Sequence, residues 1–321
     1  MSISTKVSVI MPAFNCGRYI REAMTSVIAQ TYKDFELIVV DDGSKDDTKR
    51  AVSDFIAGNR RYKIKYIYQE NKGTAGARNT GIANSCGEYL AFLDCDDVWL
   101  PHKLEVQVPV LENDACAGLV FGGTASFGEV RAQPPASETQ DLSKLNHNIT
   151  GLFAGSYIST LTVMIRKACL EKAGSFDEAL SIVEDYDLWL RIAKYYGLVY
   201  VDSLVAKYRV HPGNISRVTK ENEEKLLLDL IKVRKRALEQ NPEISRQLSR
   251  AALDRCYYKL YLNLATHYLK CGGTGKAREK ILAYIELYPY SPVSYLLLLM
   301  TFIPARINER LWGMKASLSG K

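Results

Sequence analysis

Several familiar signals are missing from this 321-residue sequence. Its seven cysteines (Cys16, Cys86, Cys95, Cys116, Cys169, Cys256, Cys271) are odd in number and scattered, with no CxxC or Cys/His ligand spacing. A disulfide framework or a zinc site is therefore not expected. No apolar run approaches the roughly 20 residues that a bilayer-spanning helix needs. The longest, residues 295–303 (YLLLLMTFI), stops at Pro304 and reads as a buried helix or, failing that, an interfacial one. No basic-then-apolar leader opens the chain, so a cytoplasmic location is expected, and the sequons at Asn148 and Asn214 read as chance matches. Neither GxGxxG nor GxxxxGK[ST] occurs, which removes the main support for a dinucleotide-binding or P-loop reading.

What is present is a globular composition. With 47% hydrophobic and 24% charged residues, wholesale disorder and collagen-like repeats are excluded. The net charge of +6 is unevenly spread: residues 215–321 carry 19 Lys+Arg against 10 Asp+Glu, leaving 23 against 26 for residues 1–214. The front is therefore slightly acidic, and the back faces something anionic or only solvent.

Strand and helix patterns alternate through the first 100 residues. Apolar runs at 7–11, 35–40, 62–68 and 88–93 read as strands, and the stretches 18–30, 44–57 and 75–83 between them as helices, with Ser44 or Asp46 as the cap of the second. That rhythm predicts an α/β fold, a mostly parallel sheet flanked by helices, with its ligand crevice at the carboxyl ends of the strands. Beyond Pro101 the pattern loosens. Strands are expected at 119–121, 125–127, 161–165 and 198–210, a long mobile loop over 128–147, and a helix over 184–196. From Thr219 onward nearly everything reads as helix, which places a domain boundary between residues 216 and 217.

Carboxylates cluster at two strand ends, Asp41-Asp42 and Asp94-Cys95-Asp96-Asp97. On one rim of a sheet such groups repel one another, and a bound divalent cation with oxygen ligands relieves that repulsion. Helix capping explains one acid such as Asp46 or Asp47, but not three together. Residues 71–79 (NKGTAGARN) form a glycine-containing turn that enters a helix, with Lys72 and Arg78 as cations suited to phosphate.

The string VSVIMPAFNCGRYIREAMTSVIAQTYKDFELIVVDDGSKDDT resembles the opening of the family 2 glycosyltransferases. NKGTAGARNTGI resembles that family's central motif, YLAFLDCDD its DxD motif, VEDYDLWLR its acceptor-site ED motif and YRVHPGNIS a late segment; together they span about residues 6–216. Phe14 stands where many members have Tyr. The resemblance implies the GT-A, Rossmann-like fold of nucleotide-diphospho-sugar transferases. It implies a donor pocket lined by Pro12, Ala13, Asp41 and Arg78, with Asp94 and Asp96 serving ribose, sugar and metal, and Asp96 the direct ligand of Mn²⁺ or Mg²⁺. Asp185 is then the general base and Glu184 its orienter or a second acceptor contact. Without the other motifs, both acids could merely complement a helix dipole, and Asp187 faces another side of that helix. Asp97 is either a supporting residue or a cap, and His211 either a metal or phosphate contact or a loop residue. Trp99 and Trp189 fit core and acceptor cleft equally.

The implied reaction is metal-assisted single displacement with inversion. The donor is a nucleotide-diphospho-sugar, a UDP-sugar by preference, and the acceptor a glycan or lipid-linked hydroxyl in polysaccharide or glycoconjugate synthesis. Two rivals remain: a haloacid-dehalogenase-like phosphatase with Asp94 as nucleophile, and a non-catalytic binding protein acting through its helical tail. Within that basic tail, residues 263–289 are similar to one tetratricopeptide repeat. Lys232, Arg234, Lys235 and Arg236 beside Ile231, Val233 and Leu238 suit a helix lying on anionic lipid, so peripheral membrane contact is an option. No nucleic-acid motif accompanies the charge.

Overall fold

The computed structural model describes residues 5–128, 141–155, 158–180, 182–214, 222–287, 289–290 and 292–303. The chain divides into two compact units, Met1–Asn214 and Ile215–Lys321. Most of the loop expected over 128–147, and the 216/217 boundary itself, lie outside the described residues.

In the first unit, β1 (Val7–Ala13), α1 (Ile20–Ile28), β2 (Phe35–Asp42), α2 (Thr48–Gly58), β3 (Ile64–Gln69), α3 (Gly73–Ala83) and β4 (Tyr89–Phe92) follow one another. The runs forming β1, β2 and β4 are continuous rather than alternating because both faces of these strands are covered. Helix α3 lies directly on β1: a Cβ at Gly81 would stand 2.4 Å from Ile10 Cγ2, so only glycine fits there. Strand β1 pairs in parallel with β2 on one side and β4 on the other, so successive crossovers leave in opposite directions. A crevice opens at the carboxyl ends of strands where order reverses in this way.

The sheet continues with β5 (Val98–Trp99), α4 (Lys103–Asn113), β6 (Ala117–Gly128), α5 (Ile149–Phe153), β7 (Met164–Arg166), α6 (Leu170–Ala173), α7 (Glu184–Ala193) and β8 (Gly197–Val210). The strand order is β3-β2-β1-β4-β7-β6-β8-β5. β7 runs antiparallel to β4 and β6, and β5 antiparallel to β8. The two strands expected at 119–121 and 125–127 are one, β6. Gly122 and Gly123 look like a break in sequence but sit at register shifts against β8, where a Gly122 Cβ would approach Ser203 O to 2.9 Å. Residues 160–162 are a 3₁₀ turn rather than strand. Ser44 and Asp46 are not the formal cap of α2, yet Asp46 accepts the Thr48 N–H (3.0 Å) and the Gly17 N–H (2.9 Å), tying α2 to the loop after β1. Both tryptophans belong to the core: Trp99 Nε1 donates to Leu161 O (2.8 Å), and Trp189 packs on Phe92 and Phe176.

The second unit is helical: α8 (Glu223–Gln240), α9 (Pro242–Gln247), α10 (Arg250–Lys270), α11 (Thr274–Leu287) and α12 (Pro292–Met300). α10 and α11 form the hairpin expected near 263–289. Gly272 takes φ +73° in its turn, and Leu264, Ala265, Tyr268 and Ala277 are buried. Two expectations are corrected here. Arg234 is not available to lipid, because it is buried and donates to Cys256 O, and Ile231 and Val233 are buried with it. Residues 295–303 are not a buried helix; Tyr295, Leu296, Leu299 and Phe302 are exposed.

Candidate active site

The rim of the crevice begins where β1 and β2 end side by side. Pro12 pairs with Val40 and Ala13 with Asp41, so the three residues expected in the donor pocket are adjacent. Asp41 is wholly buried; its Oδ1 accepts the Ser44 N–H (2.9 Å) and its Oδ2 the Tyr66 hydroxyl (2.6 Å). Asp42 has a structural task instead, accepting Gln69 Nε2 (2.6 Å) and the Lys72 N–H (2.8 Å) and so fixing the turn into α3. Phe14, just past β1, is half-exposed at this edge.

Arg78 on α3 is the hub. Its Nη2 donates to Asp94 Oδ1 (2.9 Å) after β4, and its Nη1 to Glu184 Oε1 (2.7 Å) at the start of α7. Burial works against the guanidinium charge, but Asp94, Glu184 and Asp185 outweigh it and raise the Arg78 pKa. Two buried polar atoms here have no hydrogen-bond partner among the described residues, Arg78 Nε and Glu184 Oε2. Burial lifts the Glu184 carboxyl above the usual range, opposed by Arg78.

Asp94 and Asp96 face different partners although only Cys95 separates them. Asp96 Oδ2 lies 2.9 Å from His211 Nε2 and 3.4 Å from Asn214 Nδ2. Burial, and then the charge of Asp94, raises the Asp96 pKa, while His211 pulls it down. Asp97 is fully buried and accepts the Arg209 N–H (2.8 Å), and Arg209 Nε donates to Asp96 O (2.7 Å). Asp97 thus ties the end of β8 to the acidic loop, which carries His211 to Asp96.

At the start of α7, Asp185 is buried. Its Oδ2 accepts the Thr160 hydroxyl (2.5 Å) and its Oδ1 the Tyr186 N–H (2.6 Å). Burial raises its pKa, opposed first by Thr160 and then by Arg78. The 3₁₀ turn that carries Thr160 is itself pinned: Gln107 Nε2 donates to Thr162 O (2.7 Å), as does Lys103 Nζ (3.2 Å), a fully buried lysine over the Trp99 ring. Asp187 turns away to Arg191 Nη2 (2.8 Å), a structural pair. Of the three acids in the first turn of α7, only Glu184 and Asp185 join the crevice network.

The structure therefore brings Arg78, Asp94, Glu184 and Asp185 into one network, and Asp96 with His211 into another. Sequence reasoning missed Tyr66, Thr160, Arg209 and Asn214. Only Asn214 left a signal, an Asn three residues after His211 that accepts its N–H (2.6 Å) across a tight turn.

Among the described residues, no three His, Cys, Asp or Glu side chains converge as a ligand cluster. The donor set on the rim is one carboxylate and one imidazole, Asp96 and His211, with Asp94 nearby but engaged by Arg78. That set fits a Mg²⁺-like or Mn²⁺-like ion that takes its other ligands from substrate phosphate and water, rather than a cage made wholly by protein.

Known proteins share this architecture. The Staphylococcus aureus TarS 1–349 structure in complex with UDP superposes with a TM-score of 0.64 at 18% identity, covering 97% of this chain and 92% of that one. The mannosyltransferase PcManGT from Pyrobaculum calidifontis, in complex with GDP-Man and Mn²⁺, does so at 0.62 and 20% identity, covering 95% and 83%. At these identities the likeness shows a common fold, GT-A. An uncharacterized glycosyltransferase of Rickettsia conorii is 36% identical over 226 residues, which is 68% of this chain but only 37% of that protein's length. The Escherichia coli UDP-Glc:alpha-D-GlcNAc-diphosphoundecaprenol beta-1,3-glucosyltransferase WfgD is 32% identical over 213 residues, 65% of this chain and 79% of its own length. The family described as Glycosyl transferase family 2 matches residues 8–172, from the start of β1 past β7 and through both carboxylate-bearing strand ends. By sequence, the chain belongs to family 2 of the glycosyltransferases, and its fold is GT-A.

Proposed function

We propose that the first unit transfers a sugar from a UDP-sugar to an acceptor hydroxyl, with inversion at the anomeric carbon, in the assembly of a polysaccharide or glycoconjugate. The observation that supports this reading is the Arg78 bridge, which joins Asp94 to Glu184, next to Asp185; in this reading Asp94 serves the donor and Glu184 and Asp185 the acceptor. Pro12, Ala13 and Asp41 receive the base and ribose, and Arg78 faces the diphosphate. Asp96 and His211 would hold Mn²⁺ or Mg²⁺, which when bound supplies positive charge to the leaving diphosphate. Asp185 takes the acceptor proton as the hydroxyl attacks from the face opposite the leaving group, and Glu184 helps hold the acceptor. The acceptor class is a glycan or a lipid-linked glycan, after the diphosphoundecaprenol acceptor in the name of WfgD. A cytoplasmic chain in peripheral contact with the membrane suits such an acceptor. The phosphatase reading is less well supported, because Asp94, its nucleophile, is committed to Arg78.

A thermal-shift series with UDP-, GDP- and dTDP-sugars, with and without Mn²⁺, tests the donor. A UDP-sugar is expected to raise the unfolding temperature, more so with the metal, and Asp96→Asn to remove the metal-dependent part. Stabilisation by GDP-sugars alone would overturn the nucleotide assignment.

Thr160 bears on the base. Its hydroxyl favours the ionised form of Asp185, so Thr160→Val is expected to raise that pKa further. Because the base must be deprotonated, the acid limb of the kcat/KM profile moves to higher pH in Thr160→Val, and Thr160→Ser restores it. An unmoved limb with lowered activity would reduce Thr160 to packing.

A further inference from the structure

Helix α12 turns its polar residues inward. Ser294 and Thr301 are buried together with Leu297, and Arg278 of α11 holds Thr301 through Oγ1 (3.0 Å) and its carbonyl (3.1 Å). The outward stripe is apolar: Tyr295, Leu296 and Leu299, with Phe302 just past the helix end, follow at helical spacing, and Leu299 and Phe302 are 66% and 65% exposed. Of the twelve large hydrophobic residues exposed among the described residues, eight fall within 282–302, and four of these make up the stripe.

A cation borders the stripe. The Arg278 guanidinium lies 4.0 Å over the Phe302 ring. Residues 304–321, which lie outside the described residues, carry Arg306, Arg310, Lys315 and Lys321 against Glu309 alone. The whole second unit has 19 basic against 10 acidic residues. A second copy of the chain docked symmetrically on this face would set like charges against each other. An anionic bilayer accepts the apolar stripe and attracts the same cations.

We propose that the outer face of α12, with Arg278 of α11 at its edge, is a docking surface for anionic lipid. The stripe enters the boundary between headgroups and acyl chains, with Tyr295 at headgroup level and Arg278 among the lipid phosphates. Helix α8, singled out in sequence for this role, contributes charge through exposed Lys232 and Lys235 but no apolar insertion, since Ile231 and Val233 are buried. No described helix is long and apolar enough to cross the membrane, so attachment of this kind is peripheral.

Co-sedimentation of the full chain with phosphatidylglycerol-containing vesicles, against phosphatidylcholine alone, tests this surface. Binding is expected to the anionic vesicles and to weaken with salt. Leu296→Glu/Leu299→Glu is expected to lower it on the order of tenfold or more. Both positions are exposed, so the unfolding temperature and transfer to a soluble acceptor should stay unchanged. That last readout separates failure of the lipid surface from failure of the glycosyl-transfer reading. Equal vesicle binding by wild type and variant, or none by either, would overturn the proposal. So would light scattering that shows a dimer abolished by the same double substitution without lipid binding, since the face would then belong to a second copy.

Discussion

Asp185→Asn is expected to lower kcat by about 10²–10⁴-fold, the range attributable to a general base, while donor affinity measured by calorimetry stays near wild type. The substitution keeps the volume, and its one amide oxygen can accept the Tyr186 N–H while its NH2 donates to the Thr160 hydroxyl oxygen, so the loss reports proton transfer rather than misfolding. Glu184→Gln is expected to cost less. Glu184 has one oxygen on Arg78 and the other without a partner, a geometry for holding an acceptor. Burial puts the Asp185 pKa above the ordinary aspartate range, so wild-type activity should rise with pH through that raised value. If Asp185→Asn stayed within tenfold of wild type while Glu184→Gln did not, the two roles would be exchanged.

The second large effect is on both stability and activity. Arg78→Met removes the cation from a nearly fully buried site and leaves the Glu184 carboxylate, 7% exposed, without its counter-charge. Breaking a buried pair from one side costs about 3–5 kcal/mol. Asp94 adds little to that sum, because its side chain is 35% exposed and water screens it. For a unit of this size the melting temperature is expected to fall by roughly 6–20 °C, and transfer to fall with it. Adding Glu184→Gln to Arg78→Met should restore much of the stability but none of the activity. If the double variant is no more stable than Arg78→Met alone, the buried pair is not the source of the loss.

Much of the site was legible because its carriers are local. Apolar runs four to eight residues long, followed at once by acids, mark strand ends, and Asp41, Asp94 and Asp96 were found by that alone. Glu184 and Asp185 were visible at the first turn of an amphipathic helix. What stayed hidden was the pairing. Arg78 and Glu184 are 106 positions apart, and Asp96 and His211 are 115 apart, so no local period reports either contact. Thr160 lies in a short 3₁₀ turn with ordinary composition, fixed by α4 side chains far away in sequence. The division of β6 into two expected strands has a related cause. Gly122 and Gly123 signal a break only when the partner strand, which needs their missing side chains, is out of view.

The tail shows the same division. The charge imbalance and the helices could be read from the sequence, since both depend on composition and near-neighbour spacing. Which side of a helix meets protein could not. The apolar run at 295–303 looked buried because burial is where such residues usually lie, yet its neighbours offered only a narrow seam that Ser294, Leu297 and Thr301 fill. The sequence by itself determined the fold class, the family and most of the acids at the strand ends. Tertiary structure alone decided which acid faces which cation, what orients Asp185, and where apolar surface remains uncovered, because those depend on contacts between segments from 23 to 115 positions apart, beyond the reach of any local period.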